Sequence, residues 1–217
     1  MIKLLIFDAG DLLWTCSVKD LERAMEKFFK KHKIDGDIVN SRWNKIKNRV
    51  EVGKIKYDDA IKIQFKGLVT NKKIIREWMD IHYEEMAFTR NLRPYVRPTL
   101  KKLKKRYKLA MLTDDYKGKR YKINICKRLG VDLFDDIFSS QDIGFKKPQK
   151  GAFFTVLKHF KVKPEEAVFI GHSKDEVEGA RKHKIITIAY KWDKGTKSDF
   201  YVKKFSEIPK VLEKIEK

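Results

Sequence analysis

Four short segments hold the residues whose types suit chemistry. Asp8 stands in Phe7-Asp8-Ala9-Gly10-Asp11, Thr113 in Leu112-Thr113-Asp114-Asp115, and Lys147 in Gly144-Phe145-Lys146-Lys147-Pro148. Asp175 and Glu176 follow Gly171-His172-Ser173-Lys174. Asp8 closes the apolar run that begins at Lys3, so a short strand delivers a carboxylate into a tight turn. A buried strand has no structural use for charge at its carboxyl end, and in open parallel sheets that end faces the ligand crevice. The same residue would equally serve to cap a helix or fix the turn. Thr113 can hold an anionic oxygen with its hydroxyl and the backbone amides behind it, or act as an ordinary cap. Lys147 is a point charge on a loop stiffened by proline, in a chain where lysine is common. Asp175 and Glu176 open a helix, where acidic groups also favour the dipole.

Positioning such groups requires strands, and the apolar runs supply them at Leu4–Phe7, Leu109–Leu112, Asp136–Ser139, Ala167–Ile170 and Ile185–Tyr190. Helical patterns alternate with these runs: Leu100, Leu103 and Tyr107; Ile123, Cys126 and Leu129 up to Gly130; Phe153, Leu157 and Phe160 before Pro164. Near-continuous apolar strands alternating with helices predict an α/β fold, a doubly wound parallel sheet covered on both faces. Between Trp14 and Arg93 no strand is expected. Leu21, Met25 and Phe28, then Trp43, Ile46 and Val50, then Ile61, Phe65 and Leu68, then Ile75, Trp78, Met79 and His82 are spaced as amphipathic helix faces. The expectation is a core of residues 1–14 and 94–217 with an α-helical insert, residues 15–93, placed as a lid over the strand ends.

At 217 residues, with 42% hydrophobic and 12% aromatic content, the chain can bury a sizeable core. No apolar run approaches the roughly 20 residues of a membrane span, and Leu4–Phe7 is too short for a signal peptide. A soluble, cytoplasmic protein without membrane contact is expected. Cys16 and Cys126 show no metal or redox spacing, which suits a reducing compartment. The 51 Lys and Arg against 30 Asp and Glu give a net charge of +21. Clustered cations would imply nucleic acid. Here they are interleaved along nearly every helix, which reads as solvated helix faces and a general positive field for small anions, with no specific nucleic-acid partner.

In order and spacing, the four segments resemble the haloacid dehalogenase-like hydrolase superfamily, whose fold is a Rossmann-like core with a helical cap after the first motif. The flanking Phe134-Asp135-Asp136-Ile137-Phe138-Ser139-Ser140 and Gly179-Ala180 are similar to the family too. The resemblance implies that Asp8 is the nucleophile in an in-line attack, usually on phosphorus, giving an aspartyl ester that water cleaves. It implies Thr113 and Lys147 as the other catalytic groups, and Gly10, Asp114 and Lys147 as the anion-binding set. It further implies a Mg²⁺ ion held by Asp8, the Gly10 carbonyl, Asp175 and Glu176, and a small phosphate ester as substrate.

Two positions depart from the phosphatase pattern. Gly10 stands where the family's phosphatases carry a second Asp that protonates the leaving group, and Asp11, one residue on, is poorly placed to replace it. General acid-base help is worth about 10²- to 10⁴-fold, so slower turnover of poor leaving groups is expected. His172 stands where the family has a metal-ligand Asp, which weakens a site for a hard cation. A phosphatase is the leading reading, with a weakly catalytic binding protein and a dehalogenase as alternatives. Phe153 occupies the position where the dehalogenases have a tyrosine.

Overall fold

The computed structural model describes residues 1–15, 17–81 and 91–217, so Cys16, His82 and Arg90 lie outside the described residues. Six strands form one parallel sheet: β1 (Leu4–Phe7), β4 (Lys108–Thr113), β5 (Asp136–Ser139), β6 (Ala167–Gly171), β7 (Ile186–Tyr190) and β8 (Phe200–Val202). Their order across the sheet is β5-β4-β1-β6-β7-β8, with Leu4 opposite both Lys108 and Ala167. The chain winds from β1 toward β5 and then returns to β6 on the other side. The strand order therefore reverses at β1 and β6, and ligands of doubly wound sheets sit outside the carboxyl ends at that point.

Side chains alternate across each central strand, and both faces are covered. Leu5, Phe7, Leu109, Met111, Val168 and Ile170 enter one apolar cluster, which includes Leu100, Phe205 and Leu212. Leu4, Ile6, Ala110, Leu112 and Phe169 enter another, with Phe153, Val156 and Leu157. Burial on both faces is what the unbroken apolar runs encode. Covering helices include α5 (Val96–Leu103), α6 (Gly118–Arg128), α8 (Lys150–Phe160), α9 (Lys174–Lys182) and α10 (Ile208–Ile215), and a single turn, α7 (Ser140–Ile143), follows β5.

The insert contains α1 (Val18–His32), α2 (Gly36–Glu51), α3 (Tyr57–Phe65) and α4 (Lys72–Asp80). Caps fix three of the starts: Ser17 accepts from the Asp20 amide, Asp35 from Asp37 and Ile38, and Asn71 from Lys73. The four helices surround a cluster of their own, in which Phe28 and Phe65 lie 5.0 and 5.4 Å from Trp78. The absence of strands expected between Trp14 and Arg93 needs correction. Trp14–Thr15 (β2) pairs antiparallel with Asn91–Leu92 (β3), and two residues per strand are too few to display alternation.

The insert touches the core beyond this ribbon. The rings of Trp43 and Tyr116 are 5.0 Å apart, and a Cβ on Gly53 would lie 2.2 Å from the Gln141 carbonyl oxygen. Gly53, at φ 69°, is thus needed both for its conformation and for close approach. Lys146 pairs with Glu51 at the end of α2. A lysine flanking a buried one points the opposite way, and here that direction meets the insert.

Candidate active site

Strand β1 ends at Phe7, and Asp8 emerges from the sheet with its amide still bonded to the Ile170 carbonyl, 3.0 Å away. Its side chain is almost wholly buried. The turn beyond it is closed by Leu12 N–H to the Gly10 carbonyl at 2.6 Å and Leu13 N–H to the Ala9 carbonyl at 3.0 Å. Asp11 takes the left-handed φ of 55° and turns outward, where Arg93 Nη2 lies 3.8 Å from its carboxylate. Gly10 has no such φ and its absent Cβ would meet nothing within 4 Å.

Lys147 reaches Asp8 from the loop before α8. Its ammonium is 2.5 Å from Asp8 Oδ1, 3.1 Å from the Leu112 carbonyl and 3.3 Å from Glu176 Oε1, with 1% of the side chain exposed. Burial opposes a charged lysine, yet Asp8, Glu176 and Asp114 together raise its pKa above the ordinary value. Its backbone amide donates to Asp114 Oδ1 at 3.3 Å. The other Asp8 oxygen, Oδ2, faces His172 Nδ1 at 3.3 Å. Burial alone would raise the Asp8 carboxyl, but Lys147 and then His172 outweigh it and hold the pKa down at about 2. The contact with Asp8 in turn raises His172 against its partial burial.

Glu176 is brought in by α9, and glycine permits the approach of this helix: a Cβ on Gly179 would stand 2.4 Å from Pro148 Cβ. That explains physically why a glycine sits one turn after Glu176. Burial pushes the Glu176 carboxyl up to about 7, against the pull of Lys147 and with added repulsion from Asp8 and Asp114. Asp175, expected as a metal ligand, is corrected: it is exposed and outside the cavity. Successive helix positions are about 100° apart, so a helix that aims Glu176 inward aims Asp175 away.

Asp8, Thr113, Asp114, Lys147, His172 and Glu176 all border one cavity of about 320 Å³, with Gly10 at its edge. Thr113, buried at the end of β4, has its hydroxyl 3.5 Å from the Asp114 carbonyl. Burial raises the Asp114 carboxyl. Asp115, Lys122 and Glu51 are among the lining residues to which the sequence assigned no role. Asp115 and Lys122 form a buried pair at 2.6 Å, and Asp115 is anchored through its amide to Ser140 Oγ at 3.0 Å. Glu51, from the insert, adds a carboxylate. The Asp115-Lys122 spacing offered no sequence signal, whereas helix-end placement of Glu51 offered a weak one.

Among the described lining residues, Asp8, Asp11, Glu51, Asp114, Asp115 and Glu176 face Lys117, Lys122, Lys147 and His172. Although the chain is strongly basic, this cavity has more carboxylates than cations. One ligating atom each of Asp8, His172 and Glu176 lie within 4.8 Å of one another, and Glu176 Oε2 is buried without a hydrogen-bond partner. Two carboxylates, one of them with an orphaned oxygen, and an imidazole fit a divalent cation. The imidazole makes the set less hard than the all-oxygen shell Mg²⁺ favours.

Comparison with known proteins follows the same lines. A family model described as hydrolase, haloacid dehalogenase-like hydrolase, matches residues 2–184. A glyceraldehyde 3-phosphate phosphatase of Pyrococcus furiosus is 31% identical over 63% of this chain and 59% of its own length. The chain thus spans less than two thirds of that relative. A Methanocaldococcus jannaschii protein of the same name is 28% identical, with both chains covered in full. Among solved structures, a 2-haloacid dehalogenase from Pseudomonas syringae pv. Tomato DC3000 superimposes with a TM-score of 0.80 at 21% identity, covering 99% of each chain.

Proposed function

The chain belongs to the haloacid dehalogenase-like hydrolases, and from that premise we propose that it is a cation-assisted phosphatase of small phosphate esters. The observation that carries this reading is Asp8 itself: a carboxylate kept anionic by Lys147 and His172 at a strand end, on the floor of a cavity. The names of the two archaeal relatives support phosphorus as the electrophile. The core of residues 1–14 and 94–217 carries the chemistry, and the insert of residues 15–93 roofs it.

In the first step an Asp8 oxygen attacks phosphorus in line, the bond to the ester oxygen breaks, and the alkoxide leaves with its electron pair. Lys147 orients the Asp8 carboxylate and offsets charge on the phosphoryl oxygens, while Thr113 donates its hydroxyl to one of them. Water then attacks the aspartyl phosphate, restoring the carboxylate and releasing phosphate. Gly10 and Asp114 border the anion pocket. A divalent cation, Mg²⁺ in the family's usual form, would be held by Asp8, His172 and Glu176, with the Gly10 carbonyl, and would neutralise the phosphoryl dianion. Without it, a dianion would meet the carboxylates of the cavity wall unscreened.

The lysines remain a general positive field, with no specific nucleic acid as partner, and the protein acts in the cytoplasm. Gly10 favours a second reading, in which phosphate esters bind and turn over slowly because no carboxyl stands two residues after the nucleophile. The dehalogenase reading is weaker, since Phe153 is fully buried against Phe169 and presents nothing to the cavity.

A panel of phosphate esters, assayed with and without divalent cation, tests the proposal. Phosphate release should require the cation, and Asp8→Asn should retain no more than about one per cent of it, the scale set by losing a covalent nucleophile. Full activity in Asp8→Asn, or release of halide from 2-haloacids and no phosphate from any ester, would overturn it.

A further inference from the structure

A second, partly open cavity of about 220 Å³ lies between the insert and the loop after β4, its walls mostly apolar, with Leu21, Met25, Trp43, Tyr57, Ile61 and Trp78 beside Asn40 and Gln64. Tyr116 and Lys117 belong to the walls of both this chamber and the Asp8 cavity, so the two spaces meet at the loop following β4. Tyr57, Ile61 and Trp78 are buried in the aromatic cluster of the insert and make a firm floor. Leu21 and Met25, half-buried on α1, form the rim. The Lys117 ammonium lies 5.4 Å over the Tyr57 ring and 4.5 Å over that of Tyr121, between the chamber and the phosphoryl site.

Close-packed interiors leave few voids larger than a water molecule, so a space of this size is not ordinary packing slack. Apolar cavities of about 150 Å³ hold benzene and stay dry without it. A chamber of 220 Å³ therefore admits one ring or a branched alkyl group of similar bulk. The leaving group of an ester bound at Asp8 has this chamber as its apolar neighbour. A wholly polar leaving group would gain nothing from the aromatic walls.

We propose that the preferred phosphate ester carries an apolar, ring-sized group on its leaving oxygen, which passes Tyr116 and Lys117 into this chamber. The inference rests on the phosphatase reading and narrows it to esters of arylalkyl or bulky alkyl alcohols.

The test compares 2-phenylethyl phosphate with ethyl phosphate, whose leaving alcohols have similar acidity. A hydrophobic pocket discriminates by about ten-fold or more for groups of this size, so kcat/KM should favour the phenylethyl ester by at least that factor. Met25→Trp and Leu21→Trp, which push an indole into the chamber from its rim, should bring the ratio back toward one, with Tm recorded to verify folding. A ratio near one in the wild type, or an unchanged ratio in either folded variant, overturns the proposal. If neither ester is hydrolysed, the phosphatase reading stands or falls on the full ester panel, and calorimetry with the wild type and two phosphonates decides the chamber separately. Tighter binding of 2-phenylethylphosphonate than of ethylphosphonate upholds it, and equal binding overturns it.

Discussion

Gly10→Asp restores a carboxyl two residues after Asp8, where this chain has glycine, and the local structure accepts it. The new Cβ meets no atom within 4 Å, and the backbone φ is ordinary for an L-residue. Replacing glycine at such a position stabilises by about 0.4–1 kcal/mol through the unfolded chain, which roughly offsets repulsion from Asp8. The bond from Leu12 N–H to the Gly10 carbonyl uses only backbone and survives the change. If proton donation limits turnover, the recovered factor lies in the range of about 10²- to 10⁴-fold, or about 3–5 kcal/mol of barrier. The gain belongs to poor leaving groups, because p-nitrophenolate departs without a proton. Steady-state assays with ethyl and p-nitrophenyl phosphate, at several cation concentrations and from pH 5 to 9, read this out. The alkyl ester should speed up and acquire a falling alkaline limb as the new acid deprotonates, while the aryl ester changes less. A folded variant with no rise in alkyl phosphate turnover under any of these conditions would refute the reasoning, because the missing acid-base carboxyl is then not what limits turnover.

Lys147→Met removes a cation that is 1% exposed and neighbours Asp8 and Glu176, so urea melts should show a loss of about 3–5 kcal/mol at pH 7 together with lost activity. Lys146→Met breaks only the partly exposed pair with Glu51 and should cost no more than about 1 kcal/mol; equal effects of the two would contradict the geometry. Asp8 has a folded pKa of about 2 against an ordinary 3.8, so its contribution is present above about pH 4 and vanishes as pH falls through 2. The difference corresponds to about 2.5 kcal/mol, and in EDTA the acid limb of stability against pH should be flatter by about that amount in Asp8→Asn; parallel limbs would contradict it. His172→Asp replaces imidazole by carboxylate, and calorimetry should show the Co²⁺-to-Mg²⁺ affinity ratio falling; an unchanged ratio would remove His172 from the cation site.

The strand ends were legible because an apolar run that stops at a polar residue marks where the sheet ends, as at Asp8 after Phe7 and at Thr113 closing β4. The cavity they share depends on strand order, which the alternation of strands and helices constrained without specifying. Asp175 and Glu176 could not be told apart by type. Only the phase of α9, fixed by Val177 and Ala180 against the sheet, turns one inward. Pairs such as Asp115 with Lys122 and Glu51 with Lys146 are contacts between elements, and no local pattern announces them. The edge strand Phe200–Val202 was missed because three residues give no period to read. The two-residue ribbon at the base of the insert escaped for the same reason.

That ribbon has an architectural consequence. Thr15 lies opposite Asn91 and Trp14 opposite Leu92, so the chain leaves the core and re-enters it at one point, as it would through a tight turn. Closure entropy grows only with the logarithm of length, about 0.6 kcal/mol per doubling, so the core is nearly indifferent to the length of what is spliced between these two positions. The roof is in effect a replaceable cartridge on a fixed socket. Chimeras that exchange residues 16–90 for another helical segment of the same family would retain the floor built by Asp8, Lys147 and Glu176 and acquire the donor's selectivity. Evolution has the same freedom, and can change the alcohol an enzyme of this build accepts without touching the atoms that break the bond.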